Sequence, residues 1–239
     1  MTYVEGFVAA VPTANKQAYR DHAAGAAPLF REFGATRFVE AWGDDVPDGK
    51  INDFKGAVKA KDDETVVFSW LEYPDKATRD AANQKMMSDP RMEKMGAEMP
   101  FDGKRMIIAG FESMVDEGAG GNMGYADGYL IPVTPKNRDA YRAMAEKAAT
   151  VFQEHGATRI VEAWGDDVPD GKVTDYKGAV HAKDGENVVY SFVEWPSKEA
   201  RTAGWAKVMT DERMKPDGSA MPFDGSRMIW GGFSPIVDA

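Results

Sequence analysis

Residues 3–11 read YVEGFVAAV, a run of β-forming residues that predicts a strand. The apolar spacing then changes. Ala18, Tyr19, His22, Ala23, Ala26, Leu29, Phe30 and Phe33 recur three and four residues apart, which predicts a helix. Thr13 or Asn15 can cap its start, and Gly34 supplies a left-handed stop. A second strand is predicted over 35–42, then an acidic loop containing Pro and Gly over 43–53. Residues 54–61 and 65–73 read as a hairpin turning at Lys61-Asp62-Asp63-Glu64. Pro74 ends that strand and Asp75 caps a second helix reaching about Met87. Asp89-Pro90 opens a short extra turn, and a last strand is predicted over 105–115.

The same pattern then repeats without a gap at an offset of 122 residues, with 64 of 117 paired positions identical. This predicts two domains, 1–117 and 123–239, joined by a GAGGN linker at 118–122. Identity is uneven: 16 of 17 positions match over 34–50, but only 8 of 22 over 77–98. Strand and loop are held under a tighter constraint than the second helix. Folding geometry, contact between the copies and ligand binding are each sufficient reasons.

Each copy orders its elements β-α-β-β-α-β, the ferredoxin-like α+β unit, with an antiparallel sheet and helices on one face. The bare sheet face needs a cover. A second copy packed sheet to sheet would supply one, giving a pseudo-two-fold α/β barrel within a single chain.

Composition narrows the function. A formal net charge of −10 disfavours nucleic acid and anionic membrane surfaces as partners. The chain has no cysteine, so thiolate nucleophiles and Cys-based metal sites are excluded. No apolar run approaches the ~20 residues of a membrane helix, and the start MTYVEGFVAAV lacks a basic n-region. A soluble, cytoplasmic protein is the expectation.

Five blocks carry a resemblance. They are Tyr3-Val4-Glu5-Gly6-Phe7, the GDDVPDGK loop at 43–50, DDETVVFSW at 62–70, Asp89-Pro90-Arg91-Met92, and MPFDGKRM at 99–106. Each has its counterpart in the second copy. The chain resembles the YbaA-like family, a bacterial family of unknown function, written in tandem. The resemblance implies the dimeric α/β-barrel superfamily fold, which also hosts cofactor-free monooxygenases, haem-handling proteins and small isomerases. It brings no catalytic residues, because the family has none established.

Side-chain alternation gives each strand two faces. Tyr3, Glu5 and Phe7, with Phe38, Glu40 and Trp42, and Val66, Phe68, Trp70 and Glu72, form aromatic and acidic faces. The opposite faces are small or aliphatic and suit close helix contact. The aromatic-acidic face is therefore expected to look into the barrel. On that reading Glu5, Glu40, Glu72, Asp127, Glu162 and Glu194 flank a shared cavity, with Arg37, Arg105, Arg159 and Arg227 as neighbouring cations. Glu40, Glu72, Glu162 and Glu194 are the candidate catalytic carboxylates. Tyr3, Trp42, Trp70, Arg105, Tyr125, Trp164 and Arg227 are the candidate ligand contacts. Structural ion pairs at strand ends are the competing account.

Other chemistry is weaker. Asp44, Asp45, Asp48 and Asp53 miss the calcium-loop pattern, since Val46 and Lys55 occupy ligand positions. His22, His155 and His181 do not repeat, being matched by Met144, Phe33 and Lys59, so no histidine site is common to both copies. His22 falls on the core side of its helix, His155 near a helix C-terminus and His181 on a hairpin strand. The methionines at 86, 87, 92, 95, 99 and 106 read as adaptable packing. No metal and no cofactor is expected. Three functions stay open: small-molecule binding between the two sheets, a cofactor-independent monooxygenase- or isomerase-like enzyme using a cavity carboxylate, and a structural or interaction module. Assembly of further copies is compatible with all three.

Overall fold

The structure is a computed structural model that describes residues 2–121, 123–215 and 220–239. The first copy runs β1 (Tyr3–Pro12), α1 (Lys16–Phe33), β2 (Arg37–Asp45), α2 (Phe54–Ala57), β3 (Glu64–Tyr73), α3 (Lys76–Ser88), α4 (Pro90–Ala97) and β4 (Ile107–Glu117). The second runs β5 (Tyr125–Val133), α5 (Arg138–Glu154), β6 (Arg159–Asp167), α6 (Tyr176–Ala179), β7 (Asn187–Trp195), α7 (Lys198–Val208) and β8 (Ile229–Asp238). Of the segment expected as a linker, Asn122 lies outside the described residues. Among the described residues no helix is long and apolar enough to cross a membrane.

Local chemistry sets the helix ends. Gly34 stops α1 at φ +117°. Asp75 accepts from the Thr78 N–H at 2.7 Å to start α3, and Asp89 accepts from the Arg91 N–H at 2.8 Å to start α4. Asn15 makes no side-chain cap; its amide donates instead to the Pro100 carbonyl at 2.8 Å.

The segment expected as the first hairpin strand, 54–61, is no strand. Asp53 accepts from the Gly56 N–H at 2.7 Å and nucleates the single helical turn of α2. Phe54 and Ala57, three residues apart, are thereby both buried. His181, expected on the matching strand, instead follows α6 in a left-handed conformation at φ +47°.

Eight strands close one barrel in the order β1-β3-β2-β8-β5-β7-β6-β4. Each copy contributes the four-strand order β4-β1-β3-β2 or its equivalent. The sheet edges that a lone copy would leave open are paired across the copies, β2 with β8 and β4 with β6.

Strand register corrects the expected faces. Glu5 lies opposite Leu71, and Glu40 opposite Ser69. Cross-strand partners share a face. Glu5 and Glu40 therefore share the face of Ser69, Leu71 and Tyr73, which lies under the helices, where Tyr3, Phe38 and Tyr73 pack with Ala23 and Ala27 of α1. Glu72, Trp70 and Phe68 point the other way, into the barrel with Val4, Val8, Val39 and Ala41. β3 turns its expected face to the interior, whereas β1 and β2 turn the opposite face inward.

The barrel interior is filled. Phe68 stacks on Tyr190 at 4.6 Å and Trp70 on Phe192 at 4.2 Å, pairing one copy with the other. Gly6 and Gly128 make this approach feasible: a Cβ on Gly6 would lie 2.6 Å from the Tyr190 ring, and one on Gly128 2.8 Å from Phe68. Phe54 of α2 meets Phe68 and Phe233 edge-on at 5.6 and 5.4 Å.

The uneven identity between the copies has a tertiary counterpart. Asp44 accepts from Tyr125 at 2.8 Å and pairs with Lys198, while Asp45 pairs with Arg201 at 2.8 Å. Reciprocally, Asp166 accepts from Tyr3 at 3.0 Å and Asp167 pairs with Arg79 at 2.8 Å. The ends of β2 and β6 thus grip the opposite copy.

Candidate functional site

The cavity lies under the helices of the first copy, between them and the outer face of the sheet. It measures about 250 Å³. Its floor is Glu5, Phe7, Phe38, Glu40 and Leu71 on the strands. Its roof is Tyr19, His22, Ala26 and Phe30 of α1 with Asn83 and Met86 of α3, and Met92, Met95 and Met99 close one side. The lining is mostly apolar with a few polar groups, the usual make-up of a small-molecule site. The methionines give it adaptable walls.

Glu5 is the unusual group. It is 2% exposed. Its Oε1 accepts from Asn83 Nδ2 at 2.8 Å and stands 3.5 Å from Arg79 Nε. Its Oε2 is buried and has no hydrogen-bond partner among the described residues. Tyr73 Oη and Arg79 Nε are buried and unpartnered in the same way. Burial pushes the Glu5 carboxyl up, against the pull of the Asn83 hydrogen bond and Arg79, with Asp167 and Asp80 adding to the rise.

Glu40 is built differently. Its Oε2 accepts from Tyr19 Oη at 2.7 Å and also from Ser69 Oγ. Burial still pushes it up to about 7. Glu162 repeats the arrangement, accepting from Tyr141 at 2.7 Å and reaching about 7. Because both copies keep it, this trio has the pattern of a structural unit. His22 is partly buried at the cavity wall, and desolvation holds its imidazole below the usual range, opposed by Glu98.

Most of the residues singled out in the sequence are elsewhere. Glu72 and Glu194 sit inside the barrel in an ion-pair network, Arg159 bridging Glu72 at 2.8 and 3.0 Å and Arg37 bridging Glu194 at 2.6 and 3.2 Å. Trp70 is part of the interior stack and donates to Glu72 at 3.0 Å. Arg105 and Arg227 clamp Glu64 and Glu186 away from every cavity carboxylate. Trp42 and Trp164 lie on the helix-covered face, Trp42 packing with Tyr19 and Trp164 under Arg138. Tyr3 and Tyr125 serve the inter-copy loop contacts. Of the candidate catalytic and ligand-contact residues only Glu40 lines the cavity. Asn83 is a lone asparagine on a helix, which no sequence pattern marks. No group of three histidine, aspartate or glutamate residues suited to a metal occurs among the described residues.

A family model described as a protein of unknown function, DUF1428, matches residues 2–103 and again 124–225. The chain belongs to the DUF1428 family, in two copies. The uncharacterized protein YbaA of Escherichia coli K12 is 68% identical over 117 residues, which is 49% of this chain and all of YbaA, and the Shigella flexneri YbaA matches equally. YbaA thus corresponds in length to one copy of this DUF1428 chain. Two solved structures share the fold at 10% identity. A putative monooxygenase from Fusobacterium nucleatum aligns with a TM-score of 0.60 over 99% of this chain and 93% of its own. One from Lactobacillus acidophilus aligns at 0.61 over 100% and 96%.

Proposed function

We propose that this DUF1428 protein binds one small, mainly apolar molecule in the cavity of its first copy, with Glu5 as the polar anchor. The observation that carries this reading is Glu5 Oε2, buried and without a hydrogen-bond partner among the described residues, on a residue that lines a mostly apolar cavity. A buried carboxylate oxygen without a donor is costly, and a ligand that supplies the donor recovers that cost. The filled barrel interior moves the reading away from a site between the two sheets.

Ligand-observed NMR with neutral aromatic and aliphatic fragments tests the reading. Ala26→Phe, which fills the cavity from α1, should abolish binding. Fragments that bind the variant as well as the parent would place them elsewhere and end the proposal.

A second reading is catalysis without a cofactor, with Glu5 as general base. It is supported by the burial that raises Glu5 in a ligand-sized cavity, the combination expected of a catalytic carboxylate. The monooxygenase names of the two fold relatives suggest dioxygen consumption as the first assay. Turnover that survives Glu5→Gln would sink this reading.

A further inference from the structure

The second copy holds the same place in the fold and shows how it can be occupied. Glu5 is matched there by Asp127, Asn83 by Trp205, Tyr73 by Trp195 and Arg79 by Arg201. Asp127 is fully satisfied. Its Oδ2 accepts from Trp205 Nε1 at 2.8 Å and Trp195 Nε1 at 2.9 Å, and its Oδ1 accepts from Arg201 Nε at 2.9 Å. The Trp205 indole reaches from α7 to β5 and meets Phe152 edge-on at 4.9 Å. Phe152 is the counterpart of Phe30, which lines the first-copy cavity.

The two copies therefore solve one problem in two ways. A carboxylate on the first strand of the copy is buried under helices and needs donors. In the second copy an indole grown from the chain supplies an N–H and fills the adjoining space with a flat ring. In the first copy Asn83 is too short to do both. It satisfies Oε1 and leaves Oε2 buried with no donor among the described residues, on a residue that lines the same cavity as Phe30 and the methionines.

Resting on the binding reading above, we infer that the first-copy cavity takes a neutral, planar aromatic molecule carrying one N–H or O–H donor, seated as Trp205 is seated in the second copy. Trp205 is thus a built-in surrogate for the ligand, and the chain holds one site, not two. The size agrees: about 250 Å³ exceeds the ~150 Å³ that suffices for benzene in a protein interior. The absence of lysine and arginine from the lining argues against an anionic ligand. The donor matters because Glu5 Oε2 can only accept while ionised.

Isothermal titration of the full chain with indole and with benzofuran separates shape from donor. Benzofuran has the same outline, with ring oxygen in place of N–H. Indole should bind at one per chain and about tenfold or more tighter, the worth of a hydrogen bond to a charged group. Glu5→Met should erase that preference, and Asn83→Trp, which installs the second copy's plug, should abolish binding of both; Ala26→Phe serves if that variant fails to fold. Equal affinity for the two probes, or two indoles per chain, overturns the inference and leaves the binding site intact. Binding of neither, with cyclohexanol bound in a manner that Ala26→Phe abolishes, overturns the aromatic class alone. Binding of none of the three, or binding that Asn83→Trp and Ala26→Phe both leave unchanged, overturns this inference and the reading beneath it.

Discussion

Arg159 of β6 holds Glu72 of β3 through two hydrogen bonds of 2.8 and 3.0 Å inside the barrel, joining residues 87 positions apart in the two copies. Arg37 and Glu194 form the reciprocal pair, and each arginine holds a second carboxylate, Asp116 on Arg159 and Asp238 on Arg37. Removing one partner from a buried pair strands the other charge. Glu72→Ala is expected to cost about 3 kcal/mol, the low end of the usual range because Arg159 keeps Asp116. Urea denaturation measures it. A loss below about 1 kcal/mol would mean that the network does not join the copies.

Glu40 and Glu162 set a pH dependence. Glu40 is buried and Glu162 half-buried, and desolvation lifts both to about 7 from an ordinary 4.5. The folded state keeps these protons to higher pH than the unfolded chain does. Their contribution is complete below about pH 4.5 and is lost as pH rises through about 7, for roughly 3 kcal/mol per group at most. The Glu40→Gln, Glu162→Gln double variant should show a flatter stability profile between pH 5 and 7.5 than the parent. Parallel profiles would refute the assignment.

Gly6 and Gly128 test the interlock of the copies. Alanine at either position would press on Tyr190 or Phe68. Overpacking of this kind costs about 1–3 kcal/mol. Thermal unfolding of each single variant should show the loss, and neutrality at both positions would mean that the interior has slack.

The acidic loop divides into gripping and solvated residues. Asp44→Ala removes contacts to Tyr125 and Lys198 that are partly exposed, worth about 1 kcal/mol. Asp48→Ala removes only an exposed pair with Lys55 and should change stability by less than about 0.5 kcal/mol. Calcium should shift the melting temperature of neither. A calcium-dependent shift abolished by Asp44→Ala would restore the metal reading.

Much of this architecture was legible in the chain. The repeat, the ferredoxin-like order and the caps at Gly34, Asp75 and Asp89 follow from short-range rules that act within a few residues. The exception, α2, turned on Asp53 and Gly56, where a cap outweighed the β-forming character of 54–61. The repeat also marked 34–50 as constrained, and within it Asp44 and Asp45, with their counterparts Asp166 and Asp167, grip the opposite copy.

The candidate site was not legible in the same way. Alternation sorts the side chains of one strand into two faces, but it does not say which face of β1 continues which face of β3. That is fixed by hydrogen-bond register, which sets Glu5 beside Leu71 and Glu40 beside Ser69, so the two carboxylates fall under the helices while Glu72 enters the barrel. The sequence by itself determined two copies of one unit, their elements and the excluded chemistries, because composition and periodicity are local. Only the tertiary structure decided where the carboxylates meet apolar space, because burial and register are properties of segments brought together from far apart in the chain.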